Sequence, residues 1–132
     1  MSKKTAINPG WEYYNKLTFV PAVRKGNMLF ITGMDASQDD PITGKPIVKG
    51  DILEQAKVIY EKLKAILDDA GASFENVVWT TDYIITKENY KATAEVRRQY
   101  FREAYPASTA IIVKGLMNKE ALIEVDAVAI LD

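Results

Sequence analysis

Neither cysteine nor histidine occurs anywhere in the chain. Without cysteine there are no disulfides, no thiolate nucleophile and no thiolate metal site. Without histidine, Ser-His-Asp and Cys-His catalysis and any imidazole-bound metal are excluded. An all-carboxylate cation site is the remaining metal option. The one acidic cluster near a turn, Asp35 with Asp39-Asp40, lacks the ligand spacing and glycine of a calcium loop, so no metal site is expected. A general acid or base must then be Asp, Glu, Lys, Tyr or a bound water.

A surplus of either charge is missing too: 17 basic residues face 18 acidic ones, for a net charge of −1. The basic groups Lys3-Lys4, Arg24-Lys25 and Arg97-Arg98 are scattered, whereas nucleic-acid binding needs a concentrated basic face. No apolar run approaches the ~20 residues of a membrane span. The segment Met1-Ser2-Lys3-Lys4-Thr5 has no signal-peptide character, so the expected location is cytoplasmic. No nucleic-acid or membrane partner is expected.

What is present is an ordinary globular composition, 48% apolar over 132 residues, enough for one domain spanning 1–132. Asn8-Pro9-Gly10 signals a turn. A strand from Leu17 to Arg24, a tight turn at Lys25-Gly26-Asn27 and a strand from Met28 to Gly33 make a hairpin. Asp35 to Gly50 reads as a loop. Asp51 and Glu54 form a capping-box pattern at the start of a helix. Ile52, Ala56, Ile59, Leu63, Ile66 and Ala70 give that helix one apolar stripe, and Gly71 stops it. A third strand covers Val77 to Ile85. A second helix runs from Lys87 to Ala104 and ends before Pro106. Strands at Ser108 to Lys114 and Leu122 to Leu131 complete a ββαβαββ order. The fold class is α+β: one sheet with two helices on one face.

That order leaves a second sheet face bare. In the last strand Ile123, Val125, Ala127, Ala129 and Leu131 share one side, and Leu122, Glu124, Asp126, Val128 and Ile130 share the other. The third strand also carries apolar residues on both sides, with Trp79 expected in the core. A half-wet sheet alternates more cleanly. The apolar second face therefore points to burial by further copies of the chain. The two carboxylates within the last strand are costly unless paired, which marks a candidate site.

Several segments together resemble the Rid (reactive intermediate deaminase, or YjgF) superfamily. They are Lys25-Gly26-Asn27-Met28-Leu29-Phe30-Ile31-Thr32-Gly33, Ala70-Gly71-Ala72-Ser73-Phe74-Glu75-Asn76-Val77-Val78 with Thr80-Thr81, Tyr100-Phe101, Pro106-Ala107-Ser108-Thr109 and Ile123-Glu124-Val125-Asp126-Ala127. The resemblance implies a chorismate-mutase-like fold and a homotrimer with a barrel-like core and clefts between subunits. It also implies hydrolysis of small enamines and imines to a 2-oxo acid and ammonia, without metal or cofactor.

Carried over by position, the resemblance implies that Glu124 positions the attacking water and that the backbone at Gly33 approaches the ligand. Phe19 falls where the family has a tyrosine, Ala94 near its cleft asparagine, and Ala110 where cysteine is frequent. Ser108 stands where the family's carboxylate-binding arginine is expected. A serine cannot replace the two charge-assisted bonds of a guanidinium. Arg97, on the second helix with Ala94 and Phe101 at helical spacing, is the candidate substitute cation, and Arg24 is a candidate for the cleft rim. Ser108 reads as a hydrogen-bonding pocket wall, Asp126 as an interface ion-pair partner, and Trp11, Tyr13 and Tyr14 as a lid or interface cluster.

Two readings follow: a diverged enamine or imine deaminase whose larger, less charged pocket favours a bulkier or aromatic substrate, or a trimeric small-molecule-binding or chaperone-like protein without turnover. Ribonuclease activity, long attached to the family name, sits poorly with the balanced charge.

Overall fold

The computed structural model describes residues 3–132. Its main sheet holds β1 (Thr5–Ile7), β2 (Ala22–Lys25), β3 (Met28–Met34), β6 (Val77–Ile84), β7 (Ala107–Ile112) and β8 (Ile123–Ile130), while β4 (Gln38–Asp39) and β5 (Pro46–Ile47) form a small separate hairpin. The order across the main sheet is β1-β2-β3-β8-β6-β7. All of its pairings are antiparallel except β6 with β7. That parallel pair requires a crossover, which α2 (Ala94–Phe101) supplies.

Helix α1 (Ile52–Asp69) forms where the apolar stripe places it. The Asp51 side chain accepts from Glu54 N at 2.9 Å, and Glu54 Oε1 accepts from Asp51 N at 3.3 Å. Loss of such a cap costs about 1 kcal/mol. Ile52, Ala56, Ile59, Leu63 and Ile66 are buried against the sheet residues Leu29, Ile31, Ile123, Val125 and Ala127. The buried Gln55 also ties the helix to the last strand: its Nε2 donates to Gly50 O and Glu120 O, and its Oε1 accepts from Leu122 N at 2.9 Å.

Four expectations are corrected. The first strand is short, because the segment before Ala22 is irregular: Val20 O accepts from Thr32 Oγ1, and Pro21 O from Thr32 N. Asp35 to Gly50 is not wholly loop, since β4 and β5 pair within it. The second helix begins as a 3₁₀ turn, Tyr90–Thr93, and its α-helical part is only Ala94–Phe101. Trp79 is not core but 42% exposed.

The last correction has a register cause. Val77 pairs with Ala129 while Trp79 pairs with Val128, so Val78 is an extra residue that resets the alternation. Val77, Thr80, Asp82 and Ile84 face the helices; Trp79, Thr81 and Tyr83 share the open face. Phe30, Val128 and Trp79 lie side by side across β3, β8 and β6 on that face.

Candidate functional site

The six candidate residues fall into two groups, and a single copy of the chain does not bring them together. Glu124 alternates with the buried Ile123 and Val125, so it projects from the face opposite the helices. Ser108 and Ala110 pair with Thr80 and Asp82, which face the helices.

The first group centres on Glu124 and Gly33. Between Ile31 and Met34 the pairing of β3 with β8 slips, which presents the backbone of Gly33 to β8. A β-carbon on Gly33 would stand 2.6 Å from Glu124 Oε2 and 3.1 Å from its Cδ. The glycine therefore makes room for the carboxylate. Burial, then the neighbouring Asp35 and Asp126 carboxylates, push the Glu124 carboxyl above its ordinary value, and Lys62 pulls it back. Tyr14 belongs to the same group: burial first, then Asp35, Tyr13 and Glu124, raise its phenol to about 12. Phe19 joins through Tyr14, with ring centroids 5.9 Å apart in an edge-on arrangement. Half of Phe19 is exposed, beside an open cavity of about 640 Å³ that Tyr14, Val20 and Thr32 also line.

The second group centres on Arg97. Its Nη1 donates to Tyr60 Oη at 2.9 Å and to Thr80 Oγ1 at 3.3 Å. Thr80 Oγ1 in turn donates to Ser108 Oγ at 2.9 Å. Arg97 and Ser108 are thus linked through one buried threonine, and the guanidinium lies over the Phe101 ring at 5.1 Å from its centroid. Next along the strand, Tyr90 Oη donates to Asp82 Oδ2 at 2.5 Å. Asp82 Oδ1 is buried with no hydrogen-bond partner among the described residues. Burial raises the Asp82 carboxyl; the Tyr90 bond and the Arg97 charge oppose this.

Other candidates lie elsewhere. Arg24 turns back on its own hairpin, donating from Nε to Gly26 O at 3.1 Å, and is exposed. Asp126 Oδ2 accepts from Tyr83 Oη at 2.9 Å, a bond between neighbouring strands within one copy. The i,i+3 partner of Glu95 is Arg98, at 4.0 Å, which leaves Arg97 to Tyr60 and Thr80.

The sequence reading missed Lys62, Thr80, Tyr60 and the part Asp35 plays beside Glu124. Lys62 had a signal. It lies three residues from Ile59 and four from Ile66, at the edge of the apolar stripe, where a lysine needs partners. Thr80 and Tyr60 had none, because their roles depend on the bulge at Val78 and on the pairing of β6 with β7.

The family model described as Endoribonuclease L-PSP matches residues 13–131. The chain belongs to that family, the YjgF/RutC/Rid group. A RutC family protein of Pyrococcus abyssi is 44% identical over 108 residues, covering 82% of each chain. A human protein named 2-iminobutanoate/2-iminopropanoate deaminase is 35% identical over 109 residues, covering 83% of this chain and 77% of that one. Among solved structures, a Mycobacterium tuberculosis member of the YjgF/YER057c/UK114 family superposes with a TM-score of 0.80 at 25% identity, over 98% of this chain and 100% of that one.

Proposed function

We propose that this chain is a Rid-type deaminase that hydrolyses a small imine or enamine, with the cleft completed by neighbouring copies in a homotrimer. The observation that carries this reading is the fit of Glu124 against Gly33. It places a carboxylate of raised basicity beside the half-buried backbone of Gly33, which suits a general base.

The chemistry is addition of water and loss of ammonia, assisted by proton transfers and with no change of oxidation state. Glu124 takes a proton from water as the water oxygen bonds to the imine carbon. The carbon–nitrogen double bond becomes single, and the nitrogen takes a proton. The resulting carbinolamine nitrogen gains a second proton and leaves as ammonia, while the hydroxyl loses its own to become the carbonyl. The two protons that nitrogen gains are the two that the water oxygen loses; Glu124 takes each in turn and gives it up to nitrogen, so it ends the cycle ionised. Binding would fall to the second group. Arg97 supplies the cation, and Ser108 and Ala110 leave a wider wall than an arginine would. Phe19, from the first group, contributes an apolar side. The relative named as an iminobutanoate and iminopropanoate deaminase supports the reaction class.

The division of the candidates between two faces supports the assembly. The helix-side group of one copy can meet the open-face group only of another. The name Endoribonuclease fits less well, given a net charge of −1.

The test is a coupled assay on imines generated in situ, from 2-iminopropanoate to larger aromatic 2-imino acids. Glu124→Gln should lower the rate by roughly 10²-fold with the melting temperature unchanged. A fully active Glu124→Gln would overturn the mechanism. A second reading, a binding protein without turnover, draws on Arg97 Nη1 being already engaged by Tyr60 and Thr80. It would be supported by tight imine-analogue binding with no hydrolysis of any substrate in the series.

A further inference from the structure

At the edge of the apolar stripe of α1 lies a half-buried lysine that the reaction scheme has not used. Lys62 Nζ donates to Asp35 O at 2.9 Å, to Ser37 O at 3.2 Å and to Ser37 Oγ at 3.3 Å, and lies 3.9 Å from Asp35 Oδ1. An ammonium has three donors, and here they converge on one three-residue segment. That segment begins two residues after Gly33, the glycine against which Glu124 rests. The lysine side chain is only 19% exposed. A surface lysine gains little by ordering its stem. This one gives up solvent and side-chain freedom to fasten a loop between α1 and the end of β3.

The charges around Glu124 make the position more specific. Asp35 approaches it from the loop after β3, and Asp126 from its own strand β8. Tyr14 faces it from the 3₁₀ turn Glu12–Lys16, and Tyr83 is its cross-strand neighbour on β6. Of these groups, two are anionic and two are phenols. Lys62, reaching over from α1, is the cation that acts on the carboxylate. Burial opposes its charge, and Asp35 and Glu124 restore it.

We propose that Lys62 is a positioning residue for Glu124, holding the Asp35–Ser37 segment beside Gly33 and placing an ammonium on the same side as the Glu124, Asp35 and Asp126 carboxylates. The consequence for catalysis rests on the deaminase reading above; the electrostatic pairing does not. With Lys62 neutralised, Glu124 faces Asp35 and Asp126 alone. It would then hold its proton to higher pH and become unavailable as a base over part of the working range.

The experiment measures Glu124 directly. The side-chain carboxyl carbon of Glu124 is followed by NMR through a pH titration in the wild type, Lys62→Met, Lys62→Gln and Lys62→Arg, with Glu124→Gln to assign the signal. Lys62→Gln keeps a donor and much of the stem, so it serves if Lys62→Met does not fold. The expected result is a rise in the Glu124 midpoint on losing the charge, and a midpoint near wild type in Lys62→Arg. The acid limb of the pH–rate profile for 2-iminopropanoate should move by the same amount. A Glu124 midpoint unchanged in Lys62→Gln overturns the proposal. A midpoint that moves in a protein hydrolysing none of the imines leaves the pairing of Lys62 with Glu124 intact and removes the deaminase reading instead.

Discussion

Glu124 and Gly33 interlock across the β3–β8 pairing: the carboxylate occupies the space a side chain at position 33 would need, with Oε2 2.6 Å from the site of a β-carbon. A β-carbon essentially never comes that close to a non-bonded heavy atom, so Gly33→Ala must displace the glutamate. The clash is with the flexible end of a side chain rather than with backbone. The expected cost in stability is therefore small, about 1 kcal/mol. Activity depends on where the carboxylate sits and should fall about tenfold or more. Thermal unfolding and the imine assay, run on the same preparation, check both halves. Full activity in Gly33→Ala would show that the position of Glu124 is not critical.

The open face carries the second prediction. Phe30, Val128 and Trp79 stand abreast on three strands, and Phe30 and Trp79 are 47% and 42% exposed in one copy. If three copies bury this face, light scattering should give a mass close to that of three chains at micromolar concentration. Val128→Glu, at the middle of the row, places a charge in the buried patch. It should shift the distribution toward single chains and remove activity with it. A wild-type monomer would refute the trimer and the shared cleft together.

Much of this was readable in the residues. The stripe of α1, its capping box at Asp51 and Glu54, and the alternation of β8 are local patterns, and they appear as expected. Positions that depended on counting through an irregularity were misread. Val78 shifts the parity of β6, so Trp79 emerges on the open face and Thr80 turns in toward Arg97. The partner of Arg97 could not be found by helical spacing, because Tyr60 lies 37 residues away on the other helix. The shortened β2 likewise follows from Thr32 holding Val20 and Pro21 outside the ladder, a long-range contact.

Asp82 gives a prediction about stability and pH. Its carboxyl is raised chiefly by burial, and Oδ1 has no partner among the described residues. A carboxyl whose folded value exceeds its unfolded one binds more protons folded than unfolded. Its contribution therefore favours the fold at low pH and declines as pH rises from the ordinary carboxylate value through the raised one. Asp82→Asn keeps a group that can accept from Tyr90 and carries no charge. It should be stabilised relative to wild type at neutral pH, with the difference shrinking toward acid. Denaturant titrations at several pH values test the sign. A difference that grows toward acid would mean that Arg97 and Tyr90 outweigh burial and that Asp82 is held ionised.

The last prediction concerns what the second group binds. Ser108 receives a hydrogen bond from Thr80, which also accepts from Arg97, so a cation and a small side chain adjoin at the edge strand β7. If Arg97 is the substrate's anchor, its charge acts from the helix rather than from β7, and the space beside Ala110 remains open for bulk. Wild type should then prefer larger 2-imino acids to 2-iminopropanoate. Ser108→Arg introduces a guanidinium on the strand, where it can form paired bonds to a small carboxylate. It should raise kcat/KM for 2-iminopropanoate about tenfold, the scale of one charge-assisted hydrogen bond of about 1.5 kcal/mol, and lower it for the aromatic substrates it crowds. Arg97→Met separates anchoring from structure. It leaves the hydroxyl of the buried Tyr60 without its donor, so some loss of stability is expected, about 1 to 3 kcal/mol. A role in binding requires a rise in KM beyond that. If Arg97→Met lowers the melting temperature while KM stays at the wild-type value, Arg97 only braces Tyr60 and Thr80, and the substrate's carboxylate is held by another group.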